Sequence, residues 1–338
     1  MNNPLFSMQH RSFFVVKNHA LKIKMKPIFS LFILLISFYA QAQPVFQVVP
    51  LGVKGGEEEN NLSAYLLAPV QSDKCICLDA GTVRAGLQKA YENGTIKIKP
   101  EAALRSNIQA YLISHGHLDH IAGMIINSPD DSIKNIYAMP YVIDILKDKY
   151  FSWKNWANFA DAGDKPALGK YHYQALDTIQ ETSIQPTDFS VRPFVLSHSE
   201  PYKSTAFLIR YRQNYILYLG DTGADTVEHT HRLRELWQAV ASLVDEKKLK
   251  GIFIETSFPD SQPEKQLFGH LTPRLLMQEM HVLGGLCKKS AELANLPVII
   301  THIKPVADNE QIIHKELLKN NPLKLKMIFP KQGERILL

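Results

Sequence analysis

Residues His115-Gly116-His117-Leu118-Asp119-His120 place three imidazoles and one carboxylate in six positions. Such groups cannot be buried alone, because a polar or charged side chain loses its solvation away from water. A divalent cation supplies the missing partner. Four side chains on so short a loop cannot all reach one ion and still leave a position open for a substrate. The spacing therefore points to two ions. Imidazole and carboxylate ligands without thiolate suit Zn2+ ahead of Mn2+ or Fe2+.

The elements around the cluster are those that would position it. Residues 108–113 are apolar and rich in β-formers, which reads as a buried strand. Residues 118–126 read as a helix that Asn127-Ser128-Pro129 ends. The cluster then sits on a loop at the carboxyl end of a strand, where layered α/β folds bind ligands. Three further ligand types follow apolar strand-like runs in the same way: His198 after 191–196, Asp221 after 215–220 and His302 after 296–301. Their recurrence at equivalent positions is stronger support than any one of them. His229 and His231 lie beside Glu228 and Arg232 and read as a solvated helix end. His172, His281 and His314 receive the same plain reading.

Other apolar β-type runs lie at 46–51, 62–67, 75–79, 189–196, 204–211 and 251–255, with helical patterns at 83–92, 231–244, 273–283 and 309–319. Strand groups with interspersed helices predict sheets covered by helices. The aromatic stretch 150–173, with Trp153, Trp156, Phe159, Tyr171 and Tyr173, reads as an insertion between the halves, either packing or a lid over a planar ligand.

The chain has 338 residues and a formal net charge of +5, but the excess is local. Arg11, Lys17, Lys22, Lys24 and Lys26 all fall within 1–42, which has no acidic residue. Setting those five aside leaves 33 basic residues against 33 acidic ones, so the basic balance is no argument for nucleic-acid binding. Lysines, the apolar stretch 27–39 and Ala40-Gln41-Ala42 resemble a secretory signal cleaved before Gln43. Met25 is an alternative start. The expected mature protein, a single domain over 43–338, is periplasmic or secreted and keeps no stable membrane anchor. Cys75 and Cys77 lie two apart in a strand pattern and so share a face, poorly placed to bond each other. They read as buried thiols, and a bridge from either to Cys287 stays open.

The order His-x-His-x-Asp-His, then histidine, aspartate and histidine, resembles the metallo-β-lactamase superfamily. Within it, residues 115–129 are similar, position by position, to the signature of class II cyclic-nucleotide phosphodiesterases. Gly55-Gly56, Asn61 to Tyr65, Asp79-Ala80-Gly81-Thr82, Ile254 to Phe258 and Gly269-His270-Leu271-Thr272-Pro273 extend the resemblance over most of the mature chain. It implies a four-layer αββα sandwich, two zinc ions and hydrolysis of 3′,5′-cyclic AMP or GMP to the 5′-nucleotide. His115, His117 and His198 would hold one metal, Asp119, His120 and His302 the other, and Asp221 would bridge. Asp79 would orient a ligand histidine through its second ring nitrogen.

With two divalent ions, Asp119, Asp221 and one metal-activated hydroxide, the site would keep about one positive charge, matching a cyclic phosphodiester. His270 and Glu255 resemble the pair that assists the leaving group in the transfer-RNA 3′-end ribonuclease branch. They are expected to be catalytic beside Asp119, His270 passing a proton and Glu255 orienting it. The plainer alternative has His270 capping the helix near Pro273. Two other functions compete: another hydrolase of this fold acting on phosphodiesters, lactones or lactams, and a secreted nucleotide-binding protein without turnover. The sequence carries no determinant of oligomeric state.

Overall fold

The computed structural model describes residues 43–338. The leader at 1–42 lies outside the described residues. The strands are β1 (Phe46–Gly52), β2 (Ala64–Pro69), β3 (Cys75–Leu78), β4 (Ile108–Ile113), β5 (Lys134–Ala138), β6 (Tyr171–Ala175), β7 (Thr182–Ile184), β8 (Phe189–Ser197), β9 (Lys203–Tyr211), β10 (Asn214–Leu219), β11 (Leu249–Glu255), β12 (Pro297–Thr301), β13 (Lys326–Ile328) and β14 (Ile336–Leu337). The α-helices are α1 (Arg84–Glu92), α2 (Pro100–Ser106), α3 (Leu118–Asn127), α4 (Pro140–Ile145), α5 (Asp225–Glu228), α6 (Arg232–Asp245), α7 (Pro273–Leu286) and α8 (Asn309–Lys319). One sheet has the order β14-β1-β2-β3-β4-β5-β6 and the other β13-β12-β11-β10-β9-β8-β7.

Side-chain alternation along the strands builds the layers. In β9 and β10, Phe207, Ile209, Ile216 and Tyr218 join the core shared with the first sheet, while Ala206, Leu208, Leu217 and Leu219 join a second core. That second core is completed by Leu236, Trp237 and Val240 of α6, Leu276 and Met280 of α7, and Ile313 and Leu317 of α8. On the first sheet, Leu87 of α1, Leu104 of α2 and Met124 of α3 are buried in its core. Phe46 stacks on Phe189 at 6.4 Å and Tyr65 meets Phe253 edge-on at 5.5 Å, so the two sheets face each other directly. The result is helices, sheet, sheet, helices. The parallel run β3 to β6 and the parallel run β10 to β13 bring several strands' carboxyl ends to one edge.

The segment 150–173 runs into the first sheet. Its last residues, Tyr171 and Tyr173, belong to β6, the edge strand of the first sheet. Phe151 and Tyr171 are fully buried, and the Trp156 indole donates to Ser128 Oγ at 3.0 Å. These aromatic groups are used in packing. Tyr150 is the exception, since its hydroxyl donates to Gly116 O at 3.0 Å beside the histidine loop. Cys75, Cys77 and Cys287 are all free thiols, and the first two are buried. Among the described residues no helix is long and apolar enough to cross a membrane.

Candidate active site

His115, His198, Asp221 and His302 each follow a strand end, those of β4, β8, β10 and β12, and Glu255 closes β11. His120 and Asp119 lie in the first turn of α3. The structure brings all of them together. The nitrogens of His115, His117 and His198 form one group with ligand atoms within 4.8 Å of each other, and Asp119, His120, Asp221 and His302 form a second. His172, His229, His231, His281 and His314 join neither group.

The orientation of four rings follows from what holds their Nδ1 atoms. His120 Nδ1 donates to Asp79 Oδ2 at 2.8 Å, and His198 Nδ1 donates to Gly269 O at 2.9 Å. Ser114 Oγ donates to Asp79 at 2.8 Å, so its lone pairs accept from His115 Nδ1 at 2.9 Å. Ser257 Oγ donates to Glu255 Oε2 at 2.8 Å and accepts from His302 Nδ1 at 2.9 Å. With the hydrogen on Nδ1, each Nε2 presents a lone pair to the interior. His117 is turned the other way, its Nδ1 3.3 Å from His198 Nε2 and its ring stacked on Tyr202 at 4.6 Å.

These lone pairs face carboxylates. Asp221 Oδ2 is 3.1 Å from His302 Nε2, 3.3 Å from His120 Nε2 and 3.8 Å from both His115 and His198 Nε2. Asp119 Oδ2 is 3.0 Å from His302 Nε2. Yet His115 Nε2 and His120 Nε2 are buried without a hydrogen-bond partner. The interior is thus a convergence of acceptors short of donors, and nitrogen and carboxylate oxygen are the donor set that divalent cations take. The residues fit a metal. The protonation balance agrees. Burial pushes His115 well below the usual imidazole range and His117 down to about 4, so both rings are neutral. Burial also acts against a proton on His120, but Asp221, Asp79 and Asp119 together overcome it and raise that imidazole.

Asp79 is fully buried and saturated with donors: Ser114 N at 2.7 Å, Ser114 Oγ, His120 Nδ1 and Tyr218 OH at 2.7 Å. Beside the cluster, His270 Nδ1 lies 2.8 Å from Glu255 Oε1, and Glu255 Oε2 accepts from Ser257 N at 3.0 Å. Thr272, not His270, caps α7, accepting from Leu275 N. Burial, reinforced by Asp221, pushes Glu255 up to about 7, and burial pushes His270 down to about 4. Ser114, Ser257, Tyr202 and Tyr218 were not singled out from sequence. Hydroxyl side chains are common beside strands, and nothing in their spacing separates these four from the rest.

Residues 88–333 match the family described as class-II cAMP phosphodiesterases. A protein of Aliivibrio fischeri named 3′,5′-cyclic-nucleotide phosphodiesterase is 39% identical over 315 residues, 89% of this chain and 94% of the relative. The crystal structure of unliganded yeast PDE1 superposes with a TM-score of 0.76 at 25% identity, covering 88% of this chain and 100% of that one. The metallo-β-lactamase fold protein YhfI from Bacillus subtilis, at 16% identity and a TM-score of 0.57 over 87% of this chain and 99% of its own, is alike in fold. With four layers, a histidine–aspartate centre at the strand ends and this similarity over most of its length, the chain belongs to the class-II cyclic AMP phosphodiesterase family and has the metallo-β-lactamase fold.

Proposed function

We propose that the protein hydrolyses 3′,5′-cyclic AMP, cyclic GMP or both to the nucleoside 5′-monophosphate. The observation that carries this reading is the convergence of buried imidazoles and carboxylates in two metal-ligating groups, set against a buried His270–Glu255 pair. His115, His117 and His198 would hold one divalent ion and Asp119, His120 and His302 a second, with Asp221 Oδ2 between them. Zinc suits these ligands best. When bound, the metals supply Lewis acidity toward the phosphoryl oxygens and a water that ionises near neutral pH.

The remaining work is done by side chains of the chain itself. Asp79 and Ser257 fix the tautomers of His120 and His302. In the pair, Glu255 would hold the proton at the side of His270, where burial raises the carboxyl and lowers the ring in the metal-free chain. Its O–H then donates to His270 Nδ1 and leaves the ring hydrogen on Nε2. As the P–O3′ bond breaks, His270 would pass the Nε2 hydrogen to O3′ and take the Glu255 proton at Nδ1, and the hydrogen given up by the attacking water would restore Glu255 through solvent. Release of the product as a 5′-monophosphate completes the addition of one water.

The test is an assay on cyclic AMP, cyclic GMP, a chromogenic phosphate bis-ester and a cephalosporin, with and without chelator. The reading expects chelator-sensitive formation of 5′-nucleotide from a cyclic nucleotide. Turnover of the cephalosporin alone would replace it with lactam hydrolysis. H270A should lower turnover about 10²- to 10⁴-fold while metal content stays that of the wild type. Metal loss in that variant would move His270 from proton relay to ligand. The leader composition further leads us to propose export, with a mature terminus at Gln43. N-terminal sequencing of protein from a cell fraction tests that.

A further inference from the structure

Lys54 and Lys304 both lie beside Gly55 and Gly56, and their surroundings differ. Lys54 pairs with Glu310. Lys304 has no carboxylate within 4.0 Å among the described residues, although Glu57, Glu58 and Glu59 follow the glycines directly. Glu58 is occupied by Asn61 Nδ2 at 3.2 Å. The Lys304 backbone is held in place, since its N–H donates to Ser257 O at 3.2 Å and its carbonyl accepts from Val306 N at 2.9 Å. Ser257 is the same residue that anchors His302 and Glu255.

The glycine pair keeps this corner open. A Cβ on Gly55 would fall 2.3 Å from the His302 ring, and one on Gly56 would meet Lys304 Nζ at 3.6 Å. The ammonium therefore stands over the bare backbone of Gly56, whose neighbour Gly55 lies against the His302 ring. An ammonium without a carboxylate at such a place is a ready partner for an anion. The chemistry of the reaction supplies an anion. Hydrolysis forms one P–O bond to water and breaks P–O3′. One water hydrogen ends on O3′ and the other is released as the monoester ionises. The phosphoryl group thus goes from one negative charge to nearly two at neutral pH.

We propose that Lys304 is the phosphate-binding cation of this site, its ammonium taking a non-bridging oxygen of the cyclic phosphodiester and holding it more strongly as charge builds toward the 5′-monophosphate. The proposal rests on the phosphodiesterase reading of the same site. It assigns to Lys304 a contact with substrate. It also accounts for a cation that stays unpaired beside three acidic residues: a carboxylate there would compete with the phosphate.

Metal-loaded wild type, K304M and K304R are compared. Methionine keeps the stem and removes the charge; arginine keeps the charge. K304M is expected to lose about 10- to 100-fold in kcat/KM for cyclic nucleotide and about tenfold in inhibition by the 5′-monophosphate, with metal content unchanged. K304R should stay within about threefold to tenfold of wild type, because guanidinium also binds phosphate. Calorimetric titration with inorganic phosphate gives a readout independent of turnover, and K304M should bind it about tenfold more weakly. The proposal is overturned if K304M equals wild type in both kcat/KM and phosphate affinity, or if K304R falls as far as K304M. Should the wild type hydrolyse no cyclic nucleotide, the functional reading fails, and the phosphate titration still decides the role of Lys304.

Discussion

The first sheet buries charge at both of its ends, with opposite outcomes. At the amino end of β5, Asp131 is surrounded by Lys134, Tyr111 OH at 2.7 Å, Tyr171 OH at 2.9 Å and Ser132 N at 2.7 Å. Asp131 and Lys134 are both buried, and donors and acceptors balance within the chain. At the carboxyl ends of β3 and β4, Asp79 is equally well supplied, but the next layer is not. Asp119 and Asp221 crowd against the inward nitrogens of His115, His120, His198 and His302, and His115 Nε2 and His120 Nε2 find no hydrogen-bond partner. A buried polar group satisfied by its own chain is structure. One whose nitrogens and carboxylates converge as a ligand set is a site.

The sharpest way to break this contrast is to remove one carboxylate from each end. D221N alters the carboxylate that five histidines approach. It is expected to lower kcat/KM by on the order of 10³-fold or more and to reduce bound metal, measured by elemental analysis, while the metal-free protein keeps a native circular dichroism spectrum. K134M does the reverse. It strands Asp131 and should cost roughly 3–5 kcal/mol in urea unfolding, with kcat per folded molecule unchanged. If D221N unfolded the protein or K134M lowered kcat, the two networks would not divide between function and stability.

Legibility in the sequence followed the same division. The ligands could be read because a metal site needs special residue types at strand ends, and runs such as 108–113 and 296–301 announce those ends. Helix α8 was read at 309–319 as found, and β8 to within one residue. Two short helices, α2 and α4, begin with Pro100 and Pro140 and are too brief to show a period. Strands β5 and β6 mix lysine, asparagine, histidine and glutamine with their apolar residues, so alternation does not stand out, and β6 was taken into the aromatic insertion. The Asp131–Lys134 pair left no trace at all. Asp130-Asp131-Ser132-Ile133-Lys134 looks like a solvated turn until β4 and β6 bring Tyr111 and Tyr171 over it.

A smaller effect is expected one layer out from the ligands. In D79N the side chain keeps one oxygen but cannot accept from all of Ser114, His120 and Tyr218. His120 then loses its fixed tautomer, and metal affinity should fall about 10- to 100-fold in chelator competition. D131N, the matching change at the structural end, should leave metal affinity at the wild-type value. Equal effects of the two would mean that Asp79 acts through general stability.

The smallest effect concerns the buried pair. Glu255 is pushed from 4.5 up to about 7 and His270 from 6.5 down to about 4. Near pH 5.5 the unfolded pair carries one proton, on the histidine, and the folded pair also carries one, on the carboxyl. Folding therefore moves a proton within the pair and changes the count little, so the pair gives metal-free wild type little pH dependence. Replacing one partner exposes the other. In H270Q only Glu255 titrates. Its raised value favours the folded state fully below pH 4.5, and that contribution is lost as pH rises through about 7. In E255Q only His270 titrates. Its depressed value favours the folded state above pH 6.5, and that contribution is lost as pH falls toward 4. Relative to wild type, the two stability curves should tilt in opposite directions between pH 4.5 and 6.5, by roughly 1–3 kcal/mol across the window. Urea unfolding of the metal-free variants at several pH values measures the tilt. Parallel curves would show that Glu255 and His270 are not shifted apart, and would remove the proton relay assigned to them.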